Sequence, residues 1–426
     1  MPLLSSRHTV TALLFLAFAL RLAAVEINPP GTSMYSDMAN YGLIADDILA
    51  GVWKPTHFLP AIGFALIVAV FKRLFTNWSG ALAVYHVVLS TATVWLVWKC
   101  ATRAFGQKVG VLSLLLAAIH VPWIVLTAVA LSETTFTFLM AVQLWASLEI
   151  VERPSLRWSA LWGLAFIVGF WVKGTHAFLG PMFLLGVLAG RRWSRQAMAT
   201  VAVPVSVVVG AGLILHGALS YETTGTFRLS AAAGGLNFIE GKCPSKRNYD
   251  PTGMTWLSPV YYQLDMTSAK LWDRPFTDSG YFMKEGLKCI RRDPFVLVQS
   301  FESIPFLFVG NFLWPTTHSA VAAPARLYEL VTGPFLMAGV ALWLLARWPW
   351  RRERWGELIV WALPLAALCL CVYVFKSEIR FRVPFDVWFI PMAFDGWLTR
   401  LSFTGTSPDP AASLQVRTPT QGEGGD

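Results

Sequence analysis

Side chains that could do chemistry lie in short polar stretches between long apolar runs. A carboxylate can take the proton of an attacking hydroxyl, and cations can stabilise the charge that a phosphate gains as it leaves. Both residue types occur in these stretches, which contain Asp37, Glu133, Lys173, Arg380 and Arg382. Because the surroundings are apolar, the pattern predicts a reaction on a phosphate-bearing lipid.

The composition places these residues in a membrane protein. Of the 426 residues, 55% are hydrophobic and only 14% are charged, whereas soluble domains carry roughly 25% charged residues. This difference excludes a soluble enzyme and a disordered chain. The net charge of +9 does not predict nucleic-acid binding, because the basic residues are scattered between apolar runs. We expect an all-α polytopic membrane protein.

Ten apolar stretches are long enough to be candidate spans of a bilayer core that needs about 20 residues per helix. They are residues 10–26, 81–98, 109–128, 134–150, 158–172, 177–190, 198–218, 327–346, 357–375 and 384–399. Two further stretches, 57–75 and 295–314, are ambiguous. We interpret both as embedded or interfacial segments that do not cross, because a single crossing by either would move basic clusters to the outer side.

The excess of Lys and Arg in cytoplasmic loops sets the predicted orientation. Both termini are then cytoplasmic in the plasma membrane, and 27–80 and 219–326 are the substantial outer segments. Residues 1–400 form the transmembrane domain, with an uncleaved first helix, and 401–426 form a disordered tail. The acids and cations of the short turns then collect at one outer face.

Asp37 begins a predicted amphipathic helix. Its apolar stripe runs along one face, Ser36 can cap its start and Gly51 can end it. The stripe consists of Tyr41, Ile44, Ala45, Ile48 and Leu49. Asp37 can be a functional acid that faces the membrane, or an acid that only complements the helix dipole.

The other candidates have two interpretations as well. Glu133 can be catalytic or an ordinary first-turn acid, and Lys173 can bind phosphate or reach out to the head groups. Lys54 and His57 can contact substrate or anchor the interface. His86, His120 and His216 are expected to pack without a special role. No metal-binding spacing is present in the sequence.

Cysteine positions suggest one covalent link. Only Cys243 and Cys289 share the outer loop, in a compartment that would be oxidising. We predict that they form a disulfide, although their presence in the same loop can also be coincidental.

The motifs, taken in order, resemble the GT-C membrane glycosyltransferases, in particular the branch of protein O-mannosyltransferases and the lipid A aminoarabinose transferase. Residues 36–53 resemble that family's opening acidic helix, and an embedded helix with Pro55 and Pro60 follows. Ser132-Glu133, Lys173-Gly174 and the segment 380–384 resemble later motifs of the family. Met38 stands where the family has Glu.

The resemblance implies a GT-C bundle of about ten transmembrane helices with juxtamembrane helices on its outer face. It implies transfer of a sugar from a polyprenyl-phosphate donor to a hydroxyl of a protein, lipid or glycan acceptor, with inversion. Asp37 would be the general base, and Glu133 would orient the acceptor or a cation. Other side chains would bind the donor or its phosphate. That donor set is Tyr41, Lys54, His57, Lys173, Arg380 and Arg382. No nucleotide site is expected, because the donor is already activated on lipid; no other cofactor is assigned, and a divalent metal is left open.

Two other functions fit the same residues. A transporter or flippase of polyprenyl-linked glycans would need a polar path across the bilayer, which the spans show little of. A non-catalytic lipid-binding assembly subunit is favoured by Met38.

Overall fold

The computed structural model describes most of the chain. The described residues are 7–32, 34, 37–58, 60–189, 194–231, 233–243, 248–249, 255–256, 278–309, 319–348, 355–375 and 377–402. Ser36 and almost all of the predicted tail 401–426 lie outside them.

The described chain is almost entirely helical. The helices are α1 Arg7–Ile27, α2 Asp37–Leu49, α3 Gly63–Leu74, α4 Trp78–Phe105, α5 Gln107–Ala118, α6 Val121–Thr127, α7 Glu133–Glu152, α8 Leu156–Val172, α9 Leu179–Ala189, α10 Arg195–Thr224, α11 Gly234–Lys242, α12 Ser279–Arg292, α13 Val296–Gln299, α14 Ser319–Arg347, α15 Trp355–Val374, α16 Ile379–Arg382 and α17 Asp386–Ser402. Helix α15 contains a π-helical turn at Leu358–Ala362. One antiparallel pair of two-residue strands joins Asn248–Tyr249 to Thr255–Trp256. The prediction of an all-α membrane protein is confirmed.

Six helices are long and apolar enough to cross a membrane, or up to seven if a bent pair counts as one span. The six include α1, α4, α7, α10 and α15, together with Pro324–Arg347 of α14. Three other predicted spans correspond to α8, α9 and α17, which have 17, 11 and 17 residues. The count of ten spans therefore stays a prediction.

The bent pair replaces one predicted span, 109–128. Helices α5 and α6 meet at an angle of 45°, and His120 has extended backbone between them. Pro122 follows at the start of α6. Proline has no backbone N–H to continue the hydrogen bonds of a preceding helix, and it is favoured in the first turn of a new one. The break places His120 inside the bundle.

The two ambiguous stretches form short helices. Helix α3 has 12 residues with one buried face, which includes Phe64, Ala65 and Val68. The second stretch contains α13 followed by two 3-10 turns that end at Leu307. Neither stretch is among the helices long enough to span.

Helices α14 and α17, which flank α15 in the chain, pack backbone to backbone. A Cβ on Gly396 would lie 2.1 Å from the carbonyl oxygen of Gly339, and one on Gly339 would lie 2.7 Å from Ala393. Only glycine permits this approach. The contact holds the segment that precedes α17 firmly against the bundle.

Cys243 and Cys289 form a disulfide, the pairing that we predicted from the sequence. Their Cα atoms are 5.2 Å apart. Since Cys243 follows α11 and Cys289 lies in α12, the bond joins the two helices of this polar segment.

Candidate active site

A buried ion pair connects the helical hairpin of α7 and α8. Glu133 is the first residue of α7 and Lys173 directly follows α8, so both lie at the same end of the hairpin. The Nζ atom of Lys173 lies 2.5 Å from Oε1 of Glu133. Burial disfavours the charged form of Lys173 and lowers its pKa, although the Glu133 carboxylate opposes this shift. Lys173 thus turns into the protein and does not extend toward the lipid head groups.

Arg380 joins this pair to the first polar segment of the chain. Its Nη1 atom lies 3.0 Å from Oδ2 of Asp37 and 3.9 Å from Oε1 of Glu133. Its Nε atom lies 2.5 Å from Glu378. Burial disfavours the charge of Arg380, but the neighbouring carboxylates outweigh burial and raise its pKa. Three separate segments therefore meet at one guanidinium.

The ring of Tyr41 packs in an apolar region beside these charged groups. It lies one helical turn after Asp37, and its ring packs edge-on against Phe64 at 5.0 Å between centroids. Burial, together with the nearby Asp37 and Glu133 carboxylates, raises its pKa, while a hydrogen bond with Ser132 opposes the shift. Tyr41 therefore stays a neutral phenol at physiological pH.

The two predicted catalytic carboxylates differ in accessibility. The Asp37 side chain is 41% exposed, whereas that of Glu133 is 1% exposed. A substrate hydroxyl can therefore reach Asp37 directly. Glu133 is placed to hold Lys173 and Arg380 in position.

The local charge balance is negative. Three carboxylates (Asp37, Glu133 and Glu378) face two cations (Lys173 and Arg380) in the contacts above. Every one of these carboxylates has a cation within ion-pair distance, and this pairing offsets the free-energy cost of burying charge. A phosphate that entered would compete with Asp37 and Glu378 for Arg380.

Three predicted donor contacts lie elsewhere. Lys54 and His57 both bond the Asp47 carboxylate, at 2.7 and 2.9 Å, and these hydrogen bonds, from Lys54 first, lower the pKa of Asp47. Arg382 is fully buried among other carboxylates, 2.9 Å from Glu329. Since Arg382 is two residues beyond Arg380 in a helix, its side chain points away from the Asp37 site.

Sequence reasoning missed two participants. Glu378 contacts Arg380, and its only signal in the sequence is its position two residues earlier. His120 was expected to pack without a special role, but its Nε2 atom lies 3.0 Å from Asp386 and its Nδ1 atom 2.7 Å from the hydroxyl of Tyr328. Within the described part of the chain, no group of three or more His, Cys, Asp or Glu residues could hold a metal ion.

Part of the chain matches a known protein family. Residues 59–216 match the family described as dolichyl-phosphate-mannose-protein mannosyltransferase. The matched segment contains Glu133 and Lys173 but neither Asp37 nor Arg380. No curated protein sequence matches the chain significantly.

Several solved structures are similar to the chain. The oligosaccharyltransferase of Archaeoglobus fulgidus, tethered to an acceptor peptide with the NVT sequon, matches with a TM-score of 0.53 and 14% identity, over 96% of this chain and 52% of that one. The same archaeal enzyme, AglB, with an inhibitory peptide and a dolichol-phosphate, matches with a TM-score of 0.50 and 13% identity, over 94% and 52%. ArnT from Cupriavidus metallidurans bound to undecaprenyl phosphate matches with a TM-score of 0.41 and 13% identity, over 95% and 82%.

The matches to the archaeal oligosaccharyltransferase, with TM-scores of 0.53 and 0.50, define the class of fold. The chain has the GT-C fold of membrane glycosyltransferases, as its resemblance implied. It spans about half the length of the archaeal enzymes that it matches.

Proposed function

We propose that this protein transfers a sugar from a polyprenyl-phosphate donor to a hydroxyl of a protein, lipid or glycan acceptor. The observation that carries the proposal is the convergence of Asp37, Glu133, Lys173 and Arg380 on one site, within a chain of GT-C fold. The matched mannosyltransferase family, whose description names a dolichyl-phosphate-linked sugar, supports the same donor class.

The reaction is a single displacement at the anomeric carbon. The acceptor oxygen forms a bond to that carbon while its proton passes to the Asp37 carboxylate. The bond from the anomeric carbon to the phosphate oxygen breaks, and its electron pair leaves with the lipid phosphate. Attack from the side opposite the phosphate inverts the configuration at this carbon.

Arg380 is the first cation for the leaving phosphate. It is held by carboxylates on two sides, which keeps it charged and fixed in direction before the donor arrives. Preorganised charge of this kind stabilises a developing anion strongly, because no reorganisation is needed during the reaction. Lys173 pairs with Glu133, the buried carboxylate that lies 3.9 Å from Arg380.

Donor binding also prepares the base. While Arg380 is bonded to Asp37, the carboxylate oxygen at 3.0 Å is occupied. A phosphate that takes over this guanidinium releases Asp37 to accept a proton from the acceptor. The site therefore becomes basic only when the donor is in place.

The proposal also includes the side of the membrane on which the site lies and the position of the donor lipid. The distribution of basic residues supports a site on the extracytoplasmic side of the plasma membrane, with both termini cytoplasmic. The donor lipid then stays in the leaflet while its phosphate reaches Arg380. Because the isoprenoid chain lies in bilayer in both states, its burial contributes less than the value of about 0.8 kcal/mol per methylene that applies to transfer from water.

Product analysis tests the proposal. Purified wild-type protein is incubated with a panel of polyprenyl-phosphate sugars and candidate acceptors, and the products are identified by mass spectrometry. We expect one donor to yield a glycosylated acceptor and free polyprenyl phosphate in equal amounts. The absence of sugar transfer from every donor that binds the protein would contradict the proposal, and movement of an intact lipid-linked sugar between leaflets would favour a transporter.

A further inference from the structure

A second charged cluster lies entirely inside the bundle, next to the candidate site. We infer that this cluster, formed by His120, Glu329, Arg382 and Asp386, is a positioning device that fixes the direction of Arg380. This inference rests on the proposed function, since it assigns residues that act on the same site through Arg380.

Arg382 is the centre of the cluster. Its Nη2 atom donates to Glu329 at 2.9 Å and to Asp386 at 3.2 Å, and its Nε atom lies 3.1 Å from the other oxygen of Asp386. Its Nη1 atom donates to the carbonyl oxygen of Leu307 at 3.3 Å. The side chains of Arg382 and Asp386 are fully buried. A planar guanidinium bonded in several directions has little freedom to rotate.

His120 completes the contact around Asp386. Its Nε2 atom lies 3.0 Å from Oδ2 of Asp386, and the ring packs against Trp123 at 4.8 Å between centroids. The indole N–H of Trp123 in turn donates to the backbone carbonyl of Val383 at 3.0 Å. The segment just after Arg382 is thus held through both its side chains and its backbone.

The need for such anchoring follows from the helix that carries Arg380. Helix α16, Ile379–Arg382, has four residues, which is far too short to be stable by itself. Arg380 and Arg382 lie two positions apart, roughly 200° around a helix with 3.6 residues per turn. The bonds of Arg382 on one side therefore determine where Arg380 points on the other side.

The bundle packs tightly around this anchor. A Cβ on Gly333 of α14 would lie 1.9 Å from the carbonyl oxygen of Phe308 and 3.3 Å from Nη1 of Arg382. Glu329 lies one turn earlier on the same helix. The guanidinium of Arg382 is thus enclosed between α14, α17 and the segment that ends at Phe308, and a change in any of these partners is transmitted to α16.

A double-mutant cycle tests the inference. Asp386→Asn keeps the size of the side chain but removes the charge that Arg382 and His120 share. We expect it to raise the KM for the donor about tenfold or more, which corresponds to one lost charge-assisted hydrogen bond. In an Arg380→Gln background the same change should have little further effect, because residues that act through one another are not additive.

Asp395→Asn is the matched control. Asp395 lies on the same helix, α17, and is paired with a different arginine, Arg347, at 2.6 Å. Its replacement should leave the KM for the donor within about twofold of the wild type in both backgrounds, as expected for a site with no shared partners. Glu329→Gln is the second test variant if Asp386→Asn does not fold.

Hydrogen exchange separates this inference from the proposed function. We expect Asp386→Asn, but not Asp395→Asn, to speed amide exchange across residues 379–383. Faster exchange with additive losses in the cycle would show a structural role only, and unchanged exchange with an unchanged KM would also overturn the inference.

If wild-type protein transfers no sugar from any donor, the proposed function fails. The affinity for undecaprenyl phosphate in nanodiscs, measured by native mass spectrometry across the same cycle, then decides the inference, and equal affinities in all variants would overturn it.

Discussion

The guanidinium of Arg380 lies 3.0 Å from the carboxylate of Asp37, although 343 residues separate them in the chain. Asp37 begins an early helix and Arg380 belongs to the last polar turn before the final helix. This contact joins an early and a late polar segment of the chain at one site. It also couples the proposed base to the proposed phosphate ligand.

We first predict that Asp37→Asn abolishes sugar transfer. The amide cannot accept the acceptor proton, and loss of a general base costs about 10²- to 10⁴-fold in rate. Turnover is measured with the donor identified by mass spectrometry, together with thermal unfolding to verify the fold. Asp46→Asn is the control, because Asp46 lies on the same helix with a 61% exposed side chain and pairs with Lys72. Near-normal turnover in Asp37→Asn would remove Asp37 from the role of base.

Arg380→Lys is predicted to be nearly as harmful as Arg380→Gln. Lysine keeps the charge but cannot donate to Asp37 and Glu378 from two edges of one planar group. We expect a KM for the donor raised by about tenfold or more in both variants, the effect of a lost charge-assisted hydrogen bond. Steady-state kinetics with the polyprenyl-phosphate sugar measure this. Unchanged kinetics in Arg380→Gln would reject the phosphate assignment.

The Glu133–Lys173 pair is predicted to behave as a unit. Breaking a buried ion pair from one side leaves an uncompensated charge and costs about 3–5 kcal/mol. Glu133→Gln and Lys173→Met should therefore each destabilise the protein strongly relative to the wild type. Adding the second change to either single variant should destabilise it much less. Thermal unfolding in detergent measures the three variants. Additive losses would show that the two side chains are not energetically coupled.

Removal of the disulfide is predicted to loosen the polar segment that it closes. Cys243 and Cys289 are separated by 46 residues, and closing a loop of this length stabilises a fold by about 4 kcal/mol in the chain-entropy model. The paired variant Cys243→Ser with Cys289→Ser should unfold at a lower temperature, whereas Cys369→Ser should not. Alkylation followed by peptide mass spectrometry tests the bond itself. Ready labelling of both thiols in non-reduced folded protein would contradict it.

Lys242 is predicted to make stability depend on pH in the alkaline range. Burial lowers its pKa from 10.5 to about 8, so the folded state releases this proton earlier than the unfolded chain does. Between about pH 8 and 10.5 the unfolded state binds more protons, and the free energy of unfolding therefore rises with pH through Lys242. Chemical unfolding of wild type and Lys242→Met across this range measures the contribution.

Lys288→Met is the control for that experiment, because the Lys288 side chain is 58% exposed. The alkaline rise of wild type relative to Lys242→Met should persist in a Lys288→Met background. An identical pH dependence in wild type and Lys242→Met would show that burial of Lys242 does not shift its titration in the folded protein.

The sequence by itself determined the class of fold and the positions of most site residues. Long apolar runs in a bilayer form helices, because a helix pairs the backbone N–H and C=O groups of a segment with one another. The polar turns between them were therefore visible as places for chemistry, and Asp37, Glu133, Lys173 and Arg380 were all found there. The cysteine pairing followed from the same division into segments.

Only the tertiary structure decided which of the polar groups meet. Arg380 and Arg382 look equivalent in the sequence, but helical geometry sends one to Asp37 and the other to Glu329 and Asp386. Lys54 and His57 lie near Asp37 in the chain and yet bond Asp47. Periodicity assigns a residue to a face of its own helix, whereas ion pairs between distant segments depend on how those faces are brought together by packing. That packing also gave His120 its partners Tyr328 and Asp386, which no local pattern indicates.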